Sequence, residues 1–213
     1  MQPSNTKIEA KDFITVRTFP AWRPEVFACL IVFQLAFVLA GVELAAQSSP
    51  QSPSISIKNF GKVNENYYRG SQPNARQFQD LKRLGVKMVI DLREDKVEQA
   101  SKWAHAAGLK YVNIPLRPHR AATEQQSNYF LKVVNDPANW PVYVHCRGGR
   151  HRTGQMTAIY RIAHDDWTAD EAYQEMKKYD FEDSPFYPRS VKKHVFSYYE
   201  RFNSAKKTSV AAP

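Results

Sequence analysis

Strands and helices alternate along most of this chain, which predicts an α/β fold: a central, mostly parallel sheet flanked by helices on both faces. Three observations carry that expectation. Short apolar runs such as Lys87–Leu92 and Trp140–Val144 recur between longer stretches with apolar residues at helical spacing. Two of the helical stretches open on capping-box signatures, Thr123-x-x-Gln126 and Thr168-x-x-Glu171. Two others stop at a glycine, Gly85 and Gly108.

The 213 residues leave room for one domain plus appendages. Residues 1–24 read as a basic N-terminal region, with Lys7, Lys11, Arg17 and Arg23 against Glu9 and Asp12. Residues 25–46 are a hydrophobic segment; Val26 to Val42 is apolar except for Gln34, near the minimum for spanning a bilayer. The basic residues ahead of it place the N-terminus in the cytoplasm. The segment is therefore expected to be a signal peptide or an uncleaved transmembrane anchor, and either would put the following domain outside the cytoplasm, periplasmic, extracellular or membrane-anchored. Residues 47–57, with Ser48-Ser49-Pro50-Gln51-Ser52-Pro53-Ser54, read as a flexible linker, 58–205 as the folded domain and 206–213 as a tail.

Within the domain, Phe60–Arg69 reads as a short hairpin, Asn74–Leu84 as a helix and Lys87–Leu92 as a buried strand. A helix over Lys96–Ala107 leads to a strand at Lys110–Ile114. A helix from Thr123 to Val134 then precedes the apolar run at Trp140–Val144. Thr153–Ala163 carries apolar residues at helical spacing, and Val191–Phe202 predicts a closing helix. Trp167 stands where a hydrophobic staple with Ala172 would form.

Between the Trp140–Val144 run and the helix after it stands His145-Cys146-Arg147-Gly148-Gly149-Arg150-His151-Arg152-Thr153-Gly154. A cysteine, five residues and an arginine, set between a strand and a helix, suit attack on phosphorus. The nucleophile is the thiolate, so the loop has to favour an anionic sulfur. Backbone N–H groups turned inward by Gly148 and Gly149, with the positive end of the next helix, make a nest for the sulfur and for a phosphoryl dianion. Arg147, Gly148, Gly149, Arg150 and His151 are thus candidate phosphate-binding residues. The planar fork of Arg152 suits two phosphate oxygens and can follow them into the transition state. The Thr153 hydroxyl is placed to hydrogen-bond the sulfur as a leaving group, and a ring nitrogen of His145 to fix the loop through backbone.

At these residues the chain resembles the protein-tyrosine/dual-specificity phosphatase superfamily. It looks most like the atypical plant and fungal dual-specificity phosphatases, whose loops read Gly-Lys-His-Arg-Thr-Gly where this chain has Gly149 to Gly154. Upstream, Tyr68-Arg69-Gly70-Ser71-Gln72-Pro73, Phe78–Val86 and Val89-Ile90-Asp91-Leu92-Arg93 extend the resemblance, which spans roughly residues 58 to 180. It implies the cysteine-dependent phosphatase fold, Cys146 as nucleophile and Arg152 as transition-state clamp, with hydrolysis of phosphomonoesters through a phosphocysteine intermediate. No cofactor or metal is implied. A phosphoprotein, with phosphotyrosine foremost, is the expected substrate; an inositol phosphate, inositol pyrophosphate or phosphoinositide is the alternative. A phospho-ligand-binding module without turnover is the alternative from outside enzymology.

One part of the family pattern is missing. Many members carry an Asp general acid some thirty residues before the cysteine, and this chain has no Asp between Lys96 and Asn135. Glu124 and His119 are the candidate proton donors, with Asp91 and Asp95 more remote; Glu124 also reads as a first-turn carboxylate favoured by the helix dipole, His119 as an exposed loop histidine and Asp91 as a strand-end residue fixing the loop. Without that Asp, leaving groups that need little protonation are favoured, a phenol with a pKa of about 10 over a serine hydroxyl, and a phosphate over either. Arg117, His119 and Arg120 are expected to overhang the site. Residues 58–203 hold 24 Lys and Arg against 17 Asp and Glu, a net +7 within an overall +9, which suits anionic substrates. No interleaved aromatic and basic platform is present, so nucleic acid is not expected. Of the two cysteines, Cys29 lies in the apolar segment and Cys146 in the loop, leaving the domain only its nucleophile.

Overall fold

The computed structural model describes residues 55–182 and 189–211. Five strands form one sheet: β1 (Gly61–Asn64), β2 (Tyr67–Ser71), β3 (Met88–Asp91), β4 (Lys110–Asn113) and β5 (Val142–Cys146), in the order β1-β2-β5-β3-β4. β1 and β2 are the expected antiparallel hairpin; every other pairing is parallel, which confirms the mixed, mostly parallel sheet. β5 lies in the middle and is buried along its whole length. The registers Ser71↔Cys146 and Asp91↔His145 bring the ends of β2, β5 and β3 to one level.

The helices are α1 (Ala75–Arg83), α2 (Val97–Ala106), α3 (Glu124–Val134), α4 (His151–His164), α5 (Ala169–Lys178) and α6 (Ser190–Ala211). Capping boxes open α1 at Asn74, α3 at Thr123 and α5 at Thr168; in each, side chain and backbone exchange bonds across three residues. Strand alternation splits β5 between two cores. Val142, Val144 and Cys146 face α3 and α4, packing with Phe130, Met156 and Ile159. Tyr143 faces α1 and α2, packing with Phe78, Leu81 and Ala104. A third cluster joins α4 to α5 and α6 through Ala158, Ile162, Tyr173, Met176 and Val195, with Trp167 against the cluster that holds Ala172. α4 is therefore buried on two sides, each fully buried large side chain contributing on the order of 1.5–3 kcal/mol.

Several bounds differ from expectation. Ile57 is buried in the α1/α2 core, so packing begins inside the stretch read as linker. α6 runs to Ala211 rather than stopping at Phe202, and Lys206 is tied to Asp166 at 2.6 Å. α4 begins at His151, two residues earlier than its apolar periodicity implied. The regions 1–24 and 25–46 and most of 47–57 lie outside the described residues. Placement of the domain outside the cytoplasm is withdrawn, because no helix among the described residues is long and apolar enough to cross a membrane.

Candidate active site

β5 ends at Cys146, and the chain turns through Arg147–Arg150 directly into α4. The loop's carbonyls are tied down one after another. Leu92 N–H donates to the His145 carbonyl at 2.8 Å and Gln72 N–H to that of Arg147 at 3.3 Å. Asn59 Nδ2 donates to Gly148 O at 2.8 Å and Arg69 Nη2 to Gly149 O at 2.9 Å. In a planar trans peptide the N–H points opposite to its C=O. The N–H groups of Gly148, Gly149 and Arg150 are therefore turned away from these partners, towards the cavity. The cap of α4, Arg150, makes no side-chain capping bond, which leaves the first-turn N–H groups of that helix for a ligand as well.

The close approach of β2 makes this geometry depend on one glycine. Gly149 has φ +69°, and a Cβ there would sit 2.5 Å from the Gly70 carbonyl carbon and 2.7 Å from Ser71 N. Neither atom is a side chain that can move aside.

A cavity of about 400 Å³ opens over the loop, lined by Pro118, His119, Cys146, Arg147, Gly148, Arg150, His151 and Arg152. Arg152 is 9% exposed and its Nη1 donates to Leu116 O at 3.2 Å and Leu92 O at 3.5 Å, carbonyls just beyond β4 and β3. Those carbonyls stand beside a buried network centred on Asp91, in the strand-end place expected of a residue that fixes the loop. Asp91 Oδ1 accepts from Arg93 N–H at 2.9 Å and Arg93 Nε at 3.0 Å, while Oδ2 accepts from Arg93 Nη2 at 2.5 Å and Tyr111 OH at 2.7 Å. Asn113 Nδ2 bridges the carbonyls of Asp91 and Arg93, each at 2.8 Å. Burial by itself would raise the Asp91 carboxyl; the facing His145 and the bonds from Arg93 and Tyr111 outweigh it and hold it below its ordinary value. Asp91 is thus a strand-end anchor, 0% exposed, and does not reach the cavity.

His145 stands beside this network, its Nε2 3.7 Å from Asp91 Oδ2 and its Nδ1 3.4 Å from Cys146 O. Burial pushes its pKa down to about 4, so the imidazole is neutral at pH 7. Arg69 is a residue not expected at the site. It is fully buried, lies 3.9 Å from the centroid of the Tyr179 ring, and spends its Nη2 on the loop carbonyl. Nothing in local sequence marks it beyond its place in the hairpin.

The proton-donor candidates separate clearly. His119 lines the cavity, its backbone at φ +60° and its ring centroid 6.1 Å from that of His151. Burial, then the Arg150 charge, bring His151 down to about 4. Glu124 is exposed at the first position of α3, and neither it nor Asp95 lines the cavity. Arg117 pairs instead with Glu94 at 3.8 Å, and Arg120 is likewise absent from the lining, so the rim is less basic than expected. Thr153 is fully buried and its Oγ1 has no hydrogen-bond partner among the described residues. Gly149 is absent from the lining and packs against Gly70 and Ser71 of β2.

The wider similarities are to phosphatases. A family model described as DSP-PTPase phosphatase fused to NAD+ kinase matches residues 48–193. The chain is 30% identical over 167 residues to the dual specificity protein phosphatase TpbA of Pseudomonas aeruginosa, covering 76% of this chain and 75% of that one. It is 26% identical over 133 residues to the inositol diphosphatase SIW14 of Saccharomyces cerevisiae, covering 60% and 47%. The crystal structure of P. aeruginosa TpbA matches with a TM-score of 0.57 at 25% identity, over 70% of this chain and 93% of that one. The core catalytic domain of SIW14 matches in fold with a TM-score of 0.60 at 22% identity, over 73% and 96%. With the strand–loop–helix phosphate cradle in place and the match spanning most of the chain, the protein belongs to the DSP-PTPase family of dual-specificity phosphatases.

Proposed function

We propose that this protein hydrolyses phosphomonoesters through a phosphocysteine intermediate on Cys146. The observation that carries the reading is the row of outward-tied loop carbonyls, which turns successive N–H groups towards the cavity that also holds Cys146 and Arg152. The thiolate attacks phosphorus, the phosphorus–oxygen bond to the leaving group breaks, and a proton goes to the departing oxygen. Water then cleaves the sulfur–phosphorus bond and releases orthophosphate and the thiolate. The loop N–H groups and the Arg152 fork stabilise the equatorial oxygens in both steps. His119 is the proton donor this reading favours, being the only expected donor in the cavity lining.

Aryl phosphates, phosphotyrosine among them, are the expected protein substrates, since a phenol leaves with little protonation. A phosphoanhydride of an inositol phosphate is the second reading. It is favoured by the absence of any carboxylate from the described lining, which carries three arginines and two histidines, and by similarity to an inositol diphosphatase. The test is hydrolysis of p-nitrophenyl phosphate by the full chain and by Cys146→Ser. Loss of turnover together with loss of a trapped phosphocysteine supports the reading; turnover that survives the substitution removes Cys146 as nucleophile.

A further inference from the structure

Arg150 is the one cavity-lining arginine paired to a carboxylate among the described residues. Its Nη1 donates to Glu182 Oε1 at 2.9 Å, from the stretch that follows α5. The side chain lies back over the loop: a Cβ on Gly148 would be 3.4 Å from Arg150 Nε. Arg152, by contrast, is held by two backbone carbonyls. The two arginines therefore answer to different partners, one to the fold and one to an exchangeable acid.

We propose that Glu182 and Arg150 form a specificity latch, in which Glu182 occupies the place of a second phosphoryl group and yields Arg150 to ligands that carry one. The latch rests on the reading of this cavity as a phosphate site, and it names the class of ligand that engages Arg150. The physical argument is one of exchange. The two side chains are 33% and 55% exposed, so their pairing contributes on the order of 1 kcal/mol or less. A phosphoryl dianion offers Arg150 more charge and a bidentate partner, and displaces the carboxylate. A ligand with one phosphoryl group is already satisfied by the loop N–H groups and Arg152, and leaves the Arg150–Glu182 pair closed. Glu182 thus sets the cost at which a second phosphoryl group gains Arg150 and leaves single-group ligands unaffected, while touching neither the sulfur nor the scissile phosphate.

Titration calorimetry on the full chain in the Cys146→Ser background tests this without turnover, with orthophosphate as the single-group probe and myo-inositol hexakisphosphate as the vicinal one. Glu182→Gln is expected to tighten hexakisphosphate binding about fivefold and to change orthophosphate binding by less than about twofold. Arg150→Gln weakens hexakisphosphate, and adding Glu182→Gln to it brings no further change, because the two act as one unit. Glu94→Gln removes the same charge from the pair with Arg117, outside the lining, and leaves both affinities where they were. Equal tightening of both anions by Glu182→Gln, or tightening that persists without Arg150, overturns the latch. Failure of orthophosphate to bind overturns the phosphate-site reading and the latch with it. Aryl phosphatase activity that survives Cys146→Ser removes the nucleophile alone.

Discussion

Gly149→Ala is the sharpest perturbation of the loop, and its cost can be worked from the contacts. At φ +69° an alanine costs about 1–2 kcal/mol in backbone conformation alone. Its Cβ would then meet Gly70 C at 2.5 Å and Gly70 O at 2.7 Å, so strand β2 and the loop must separate by roughly an ångström to restore ordinary contact. That movement stretches the 2.9 Å bond from Arg69 to Gly149 O, the only hydrogen bond of a fully buried guanidinium among the described residues. Losing it adds about 1–3 kcal/mol. The sum is about 2–5 kcal/mol of stability, and a displacement of roughly an ångström in the loop lowers kcat on the order of 100-fold. Urea unfolding and aryl phosphate kinetics measure both. Two other glycines separate the contributions. Gly85 has φ +95° but nothing within 4 Å of an added Cβ, so Gly85→Ala isolates the conformational cost. At Gly148 the added Cβ meets only the Arg150 side chain, so Gly148→Ala keeps its stability. Reasoning from the β2 contact is refuted if Gly149→Ala loses no more stability than Gly85→Ala and turns over normally.

Arg69→Met should uncouple stability from activity. Nε and Nη1 of Arg69 have no hydrogen-bond partner among the described residues, and replacing a desolvated charge by an apolar chain of similar length is often neutral or stabilising; the expected result is an unchanged or higher Tm with kcat reduced about tenfold by the freed Gly149 carbonyl. An unchanged kcat would show that the loop does not depend on that bond. His145 makes stability depend on pH: the unfolded imidazole takes its proton near pH 6.5 while the buried one resists to about 4. Stability is therefore lost as pH falls from 6.5 towards 4, about 2 kcal/mol of it by pH 5. Denaturant midpoints for wild type and His145→Asn between pH 7 and 5 check this, and equal slopes would exclude His145 as the source. If His119 protonates the leaving group, His119→Asn should remove the basic limb of the kcat profile for phenyl phosphate while leaving an activated aryl phosphate nearly untouched; equal losses on both would exclude the assignment.

The elements most readily read from sequence are those whose determinants lie within a few residues. The Thr123 and Thr168 caps exchange bonds across three positions, and α3 and α5 start where those signatures stand. The turn from β5 into α4 is equally local, which is why the Cys146–Arg152 loop was visible at once. The start of α4 was misplaced because nothing apolar marks His151 and no side chain caps the helix; that vacant cap belongs to the anion cradle. Choosing between Glu124 and His119 was out of reach. Both sit in one stretch of sequence, and only the path of the chain after β4 brings Pro118 and His119 into the cavity lining and leaves Glu124 out of it.

From the sequence alone came the α/β alternation, the strand–loop–helix frame and the Cys146–Arg152 motif set within it, because propensity, capping and a ten-residue motif act over short distances. Tertiary structure decided what makes that motif a site. Parallel pairing brings β2, β3 and β5 to one level, so Arg69 reaches across eighty residues to Gly149 and Asp91 steadies the turn whose Leu92 carbonyl holds Arg152. A buried ion pair or a carbonyl contact carries no periodicity that a single chain can display. It exists only when the sheet has closed and water has left the space between the strands.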